Sequence, residues 1–409
     1  MRQQLRYSLL NVFHLTSSND LYSLNTMNIK LLSSISDIAA HEWNTLFKTE
    51  YPFIQHRFLS ALEKSGCTQA STGWEPQHII VHDDHKIIAA MPCYLKTHSY
   101  GEYVFDWAWA NAYQQHQLPY YPKLLSAIPF TPSTGPRLAF HHSIQSKQEQ
   151  LSIIKSIKHF MLDTFGSVVS SWHVLFPEPE LSSLLEACQY KQRVGIQYHW
   201  FNNSYTNFDD FLNTFKSRKR KTLRKERLSI TTQGIEITTV IGADINEQLM
   251  AEFYQFYHLT YLKRSGQHGY LNLAFFTLLL SNMPDSLVMF CAQKDDALIG
   301  AALCFKDDQT LYGRYWGCEQ EYEFLHFEAC YYQGIEFCIN NNLKRFDPGA
   351  QGEHKISRGF KPIKTLSNHL ILHDEFRHAI EHFIDEEKIQ VNSHIKHLAT
   401  LLPFKSESP

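Results

Sequence analysis

The stretch Val288–Gly317, VMFCAQKDDALIGAALCFKDDQTLYGRYWG, decides the fold. It divides into a short apolar strand, a charged turn (QKDDA), a longer apolar strand, a second polar turn and an aromatic strand. β-Branched and aromatic runs bounded by Asp, Lys and Gly clusters read as consecutive hairpins. A helical run follows at Leu325–Asn341, LHFEACYYQGIEFCINN. Its apolar positions, Phe327, Cys330, Tyr331, Gly334, Ile335, Cys338 and Ile339, keep the spacing of one buried face. It leads into a short strand, LKRFD. Strand, helix and strand in that order require a crossover, so the last two strands are expected to be parallel neighbours.

Working outward, the chain says the same thing earlier. His78–Ala110, HIIVHDDHKIIAAMPCYLKTHSYGEYVFDWAWA, repeats the rhythm of two turns and three strands, ending in an aromatic strand. The helical run Glu149–Gly166 and the strand SSWHVLF (Ser170–Phe176) follow it. Helical candidates precede both copies, at Ser36–Phe47 and His56–Lys64, then at Asn207–Leu228, Asn246–Tyr261 and Leu273–Leu280. An antiparallel meander ending in one parallel pair is the layout of the GCN5-related N-acetyltransferase (GNAT) fold. The fold class is therefore α/β with mixed α+β sheets: two tandem GNAT-like domains, at 28–195 and 196–390, joined near 190–207. Residues 1–27 read as a poorly ordered extension and 391–409 as a tail. The alternative is one mixed domain whose rhythm is coincidental.

Composition sets outer limits. Of 409 residues 44% are hydrophobic and 19% charged, the balance of a soluble globular chain. The net charge of −3 confines any nucleic-acid contact to a local patch. Eight cysteines show no CxxC pair and sit in or beside apolar runs, which reads as reduced, buried thiols in a cytoplasmic protein. No apolar run reaches the ~18 residues a membrane span needs, and the scattered histidines give no metal-ligand spacing.

YVFDWAWANAY (Tyr103–Tyr113) and YYPKLLSAIPFTPSTGPRL (Tyr120–Leu138) resemble first-half hallmarks of a bacterial FemAB-like family of N-acyltransferases. HWFNNSY, FDDFL, SRKRKTLRKER, LYGRYWG, LHFEACYYQGIEF and PGAQGEHKISRGF are similar to its second-half hallmarks. The resemblance runs from about Trp43 to the helix near Glu387. It implies tandem GNAT-like domains and transfer of an acyl or aminoacyl group to an amine, with a peptidoglycan precursor as acceptor.

Parallel strands splay at their carboxyl ends, and ligands sit there. Arg314 and Trp316 arrive on one strand; Asp347 and the loop Gly349–Gly359 arrive on the other. Acyl transfer needs a neutral amine, a base for its proton and donors for the oxyanion. Gly349 and Gly352 admit close backbone approach, and Gln351 lies between them. Glu353 or His354 is the candidate base, and Lys355 and Arg358 the candidate anion contacts; the bland alternative is a loop whose charges pair internally. On the helical run Leu325–Asn341, which precedes that loop, His326, Glu328 and Tyr332 are candidates, although Glu328 in a first turn also suits the helix dipole. In the first half Asp106, between aromatics on the expected strand, is a candidate contact or an outward-facing strand residue, and Arg137 a candidate anion contact.

Acetyl-CoA-dependent GNAT enzymes resemble one another in a glycine-rich turn that holds pyrophosphate at a helix N-terminus. The corresponding CEQEYEFLHFE has four acids and no glycine. Acyl-CoA in that pose is disfavoured, and the resemblance to Fem-type transferases implies aminoacyl-tRNA as donor. No tightly bound cofactor is expected. The run Lys216–Arg227, KSRKRKTLRKER, carries eight basic residues and one acid. It ends a helix that opens with Asp209 and Asp210, so a solvated face fits the macrodipole. Continuing the stripe Phe208, Phe211, Leu212, Phe215 and Leu223 puts Lys219 on the core side. With Arg220 and Arg224 it would grip a phosphate, of tRNA among others. The leading reading is a cytoplasmic N-acyl- or aminoacyltransferase. The alternatives are a non-catalytic protein that recognises a cell-wall precursor or peptide, and an acyltransferase of lipid or small-amine metabolism drawing on acyl-CoA or an acyl carrier.

Overall fold

The computed structural model describes residues 27–405 except 85 and 351. The expected extension before Met27, and the candidate Gln351, lie outside the described residues. Among these run fifteen strands. The first half holds β1 (Met27–Leu32), β2 (Trp74–Pro76), β3 (His78–Asp83), β4 (Lys86–Met91), β5 (Tyr94–Lys96), β6 (Lys123–Ser126), β7 (Ala139–Phe140), β8 (Ser171–Leu175) and β9 (Lys191–Phe201). The second holds β10 (Glu236–Ile241), β11 (Leu287–Lys294), β12 (Ala297–Lys306), β13 (Thr310–Cys318), β14 (Arg345–Asp347) and β15 (Lys361–Ile371).

The opening stretch folds as read. β10 to β13 form an antiparallel meander, and β11 is buried along Leu287–Ala292, as a strand covered on both faces must be. Helical residues 325–340 cross back to β14, which runs parallel to β13 through Thr310↔Arg345, Leu311↔Phe346 and Tyr312↔Asp347. Gly334 lets that helix sit on the strand, because a Cβ there would lie 2.4 Å from the Phe346 ring.

The first half departs from its copy in two places. The aromatic strand expected at 103–110 is a turn followed by the helix Trp107–Gln115. Alternation at Trp107 and Trp109 imitates a strand, but the buried pair is Trp109 and Tyr113, four apart, packed on Ile371, Ile380 and Ile384. The parallel pair is made instead by β6 and β8, through Leu124↔Trp172 to Ser126↔Val174, across the helix Lys147–Phe165. The hairpin of the first half also changes sheets. β3 and β4 join β1 and β7 in a separate four-stranded sheet, while β2 and β5 stay in the main one.

The main sheet has eleven strands, in the order β10-β11-β12-β13-β14-β9-β15-β8-β6-β5-β2. Its centre is an exchange. β9, where the halves join, pairs with β14; β15, from the second half, pairs with β8; and the two exchanged strands pair antiparallel with each other. One core also spans the halves, with Phe53 5.0 Å from Phe305 and 5.2 Å from Tyr312, ring to ring.

Two polar clusters are sealed inside. Lys123 donates to Glu102 at 2.8 Å and pairs with Asp106, all three buried. Nearby, His173 and His369 face each other across β8 and β15, Nδ1 to Nδ1 at 2.7 Å, and each Nε2 meets a serine hydroxyl, Ser171 or Ser367, at 2.8 Å. No disulfide joins any of the eight cysteines.

Burial, then the charge of Lys123, pushes His173 down from 6.5 to about 3, and burial pushes His369 well below 6.5. Both are neutral in the fold and gain protons on unfolding at acid pH, so the stability they contribute is complete above ~6.5 and declines as pH falls below it. The difference in urea midpoint between the protein and a His173→Gln/His369→Gln variant isolates this pair and is expected to be constant above pH ~6.5 and to change progressively below it. Over that acid range the variant should show the shallower drop.

Candidate functional site

Where β14 ends at Asp347, β13 continues through Gly313–Cys318, and a cleft of about 690 Å³ opens between them. Its floor is Arg314, Tyr315 and Trp316. One wall is the loop after β14, with Pro348, Ala350, Gly352, His354 and Lys355. Another is His326, Cys330 and Tyr331 of the crossing helix, whose Glu328–Tyr332 stretch is a π-turn, a form frequent at functional sites. The third combines Tyr257, Tyr261, Arg264 and Tyr270 with Tyr100 from the first half.

The cleft rests on a buried ion pair. Arg314 Nη2 lies 2.7 Å from Asp347 Oδ2. Ser133 of the first half donates to the same oxygen at 2.8 Å, the Gly349 N–H donates to Oδ1 at 2.9 Å, and His199 Nε2 is 3.6 Å away. Burial alone would raise the Asp347 carboxyl; Arg314, His199 and the Gly349 amide outweigh it and hold it far below the usual range. Asp347 is thus a fixed anion behind the cleft. Two glycines shape the loop in front of it: Gly349 at φ 88° and Gly352 at φ 103°, where a Cβ would come within 2.5 Å of the His354 ring.

Lys355 is the cation this loop delivers. It is 2% exposed, and its Nζ donates to the Gly349 carbonyl at 2.8 Å. Burial, with Arg314 adding to it against the pull of Asp347, brings its ammonium down to about 8. Burial and the charges of Arg264, His354, Lys355 and Arg358 push His326 down to about 4, and similar causes lower His354, which shares a 2.9 Å hydrogen bond with the Tyr331 hydroxyl. No carboxylate lies among the described residues lining the cleft. The arrangement combines neutral imidazoles, two arginines, a lysine whose ammonium is brought down to about 8, and aromatic walls. It suits an anionic or electron-rich ligand and a proton acceptor working near neutral pH.

Of the residues expected to gather here, Arg314, Trp316, His326, Gly352, His354 and Lys355 line one cleft, with Asp347 and Gly349 directly behind. Others turn elsewhere. Glu353 is exposed and meets His394 of the helix Asp374–Thr400 at 3.1 Å. Glu328 is buried against Arg227 at 2.8 Å, on the opposite side of the crossing helix from the cleft. Tyr332 donates to Glu226, and Arg358 is bound to the same carboxylate at 2.9 Å with its guanidinium 3.5 Å from the Phe327 ring centroid. Arg358 does reach the His354 carbonyl, at 2.9 Å, and so braces the loop. Asp106 sits in the Lys123 cluster: burial raises its carboxyl, Lys123 overcomes this, and it ends at about 2. Arg137 is fully buried on the carbonyls of Leu175 and Ser133.

The basic run corrects one further expectation. The helix breaks at Thr214–Lys216, where Lys216 is extended at ψ 140°, into Phe208–Asn213 and Ser217–Thr232. The break resets the helical phase, so Lys219 is exposed, Arg220 reaches Asn213 at 3.3 Å and Arg224 pairs with Asp209 at 2.8 Å. Sequence reasoning passed over Arg264, Tyr331 and Ser133. Ser133 lies within the quoted FTPSTGPRL, but its partner is 214 residues away.

A family model for peptidoglycan biosynthesis/recognition, FemAB-like, matches residues 34–406. Among solved structures, FemX superposes with a TM-score of 0.51 at 13% identity, covering 84% of this chain and 98% of that one. The C-terminal domain of a protein from Agrobacterium fabrum assigned as a lysylphosphatidylglycerol synthetase gives 0.50 at 8% identity, with 86% and 97% covered. At these identities the likeness is one of fold. No curated protein matches the sequence.

The Lys355 environment can be measured directly. With ¹³C-lysine, its ε-carbon resonance, assigned by a Lys355→Arg variant, should titrate with a midpoint of about 8, against ~10.4 for exposed lysines. A midpoint among the exposed lysines would show an ammonium in contact with water.

Proposed function

Because the chain belongs to the FemAB-like family of peptidoglycan biosynthesis or recognition, we propose that it transfers an acyl or aminoacyl group to the amine of a cell-wall precursor, in the cleft between β13 and β14. The observation that carries this reading is a carboxylate-free cleft holding a neutral imidazole, His354, beside an ammonium pushed down to about 8, Lys355. An amine nucleophile must shed a proton as it attacks. His354, kept neutral and hydrogen-bonded to Tyr331, is the group suited to take it. The amine nitrogen bonds to the acyl carbon, the carbonyl oxygen takes up negative charge beside Lys355, and the bond to the donor's oxygen or sulfur breaks. The imidazolium then returns its proton to that leaving atom. Lys355, with Arg264 at the rim, also suits a carboxylate or phosphate of the acceptor.

For the donor, the turn before residue 325 exposes Glu319, Glu321 and Glu323, which would repel the pyrophosphate of an acyl-CoA in its usual place. That favours aminoacyl-tRNA. The exposed cations Lys216, Arg218, Lys219, Lys221 and Lys225 would serve its phosphates.

The test is to incubate the protein with a nucleotide-linked muropeptide precursor and either aminoacyl-tRNA or acyl-CoA, then weigh the precursor by mass spectrometry. One added acyl or aminoacyl group on its amine is expected. His354→Gln should slow turnover by ~10²-fold with binding retained, and Lys355→Met should both weaken binding and slow turnover. Glu353→Gln should leave both unchanged, since that carboxylate points out of the cleft. A precursor that binds tightly yet gains no mass from either donor would make the protein a recognition module.

A further inference from the structure

A second cavity, about 740 Å³, lies across the crossing helix from the cleft. The helix divides the two: His326, Cys330 and Tyr331 face the cleft, while Glu328, Gln333 and Glu336 face the second cavity. Its other walls are the helix Ser217–Thr232 and the start of β10. Both Glu236 and Ile237 line it, although neighbours on a strand point to opposite faces. The cavity therefore opens onto the edge of the sheet. Gly234, just before the strand, faces empty space, with nothing within 4 Å of a Cβ built there.

That edge is unguarded. β10 is the outermost strand, and among the described residues nothing pairs with its outer side. Natural edge strands are blunted by lysine, proline, a bulge or shortness. The opposite edge, β2, has three residues and ends in Pro76. β10 has six, EITTVI, five of them β-branched, with no proline, no lysine and unbroken register against β11. Alternate residues of such a strand turn their N–H and C=O groups away from the sheet.

The charge beside the edge selects the occupant. Asp209, Glu236, Glu328 and Glu336 line the cavity against Arg224 and Arg227. Arg227 is held by Glu328 and Glu336, and Arg224 by Asp209, which leaves an excess of negative charge. Between the carboxylates the walls are apolar, with Phe208 and Leu228 among them. A side chain with a long apolar stem and a cationic head matches both. The cations Lys221 and Lys225 of the same helix stay outside the cavity.

We propose that the outer edge of β10 takes up an extended peptide as an added strand, and that the neighbouring cavity receives a basic side chain of that peptide. Main-chain bonds to the edge supply affinity and the cavity supplies the choice of side chain. This site is separate from the transfer cleft.

The probe is the capped peptide acetyl-Thr-Val-Lys-Val-Thr-amide, titrated into the full chain by fluorescence anisotropy. It should bind, and its norleucine analogue, of similar shape without the charge, should bind about fivefold more weakly. A Glu236→Gln/Glu336→Gln protein, its fold checked by circular dichroism, should lose that difference. N-methylation at one set of alternate peptide positions should abolish binding, and at the other set be tolerated. Equal binding of the lysine and norleucine peptides would overturn the proposal. So would tolerance of both methylation sets, or absence of binding, whether the chain is monomeric or pairs with itself in analytical ultracentrifugation.

Discussion

The pairing of β9 with β15 is the constraint on which the rest hangs. Its register runs from Lys361↔His199 to His369↔Lys191 and centres on Gly195↔Thr365, where a Cβ on the glycine would meet the threonine hydroxyl at 2.8 Å. Each strand gives its other edge to the parallel pair of the opposite half, β9 to β14 and β15 to β8. Neither half can therefore move without breaking main-chain ladders. That rigidity is what lets residues far apart in sequence hold one another to hydrogen-bonding distance. Ser133 reaches Asp347 from the first half, Gln197 reaches the Pro132 carbonyl at 2.7 Å, and Tyr51 packs edge-on against Tyr312 at 5.7 Å. The cleft belongs to the second half by chemistry and to both halves by support.

Much of this was legible in the sequence where one periodicity stood alone. The meander at Val288–Gly317, its crossing helix and the parallel return to β14 follow from hydrophobic spacing and turn residues. Where two periodicities coincide, the reading failed: Trp107 and Trp109 fit a strand, and Trp109 and Tyr113 fit the helix that forms. The exchange of β9 and β15 was not legible at all, because an alternating strand records which face is buried and not which neighbour it pairs with. The site loop shows the finest limit. In the tight turn Glu353–Arg358 one residue step swings the side chain by about 120°. His354 and Lys355 face the cleft while Glu353 faces His394, a difference composition cannot express.

Charges follow a consistent division of labour. Buried carboxylates are committed to particular cations: Asp347 to Arg314, Glu226 to Arg358, Glu328 to Arg227, Asp106 to Lys123. Breaking any one of these pairs would leave an uncompensated charge in the interior, at a cost of about 3–5 kcal/mol. Because these buried acids are committed in the framework, the cleft is left to imidazoles, to Arg264 and Arg314, and to a lysine whose one hydrogen-bond partner among the described residues is the Gly349 carbonyl. Its positive character is thus a by-product of how the fold is braced.

The exchanged strands also bear on how the chain is made. β8 emerges from the ribosome with one edge vacant, and the strand that fills it, β15, lies nearly two hundred residues downstream. At ~5–20 residues per second the nascent first half waits roughly 10–40 s with an open edge and an uncovered apolar face. A chain stalled or truncated before β15 would carry that edge permanently. Faithful production of the protein therefore depends on translation running to the end of the second half, and on whatever shelters the first half until then.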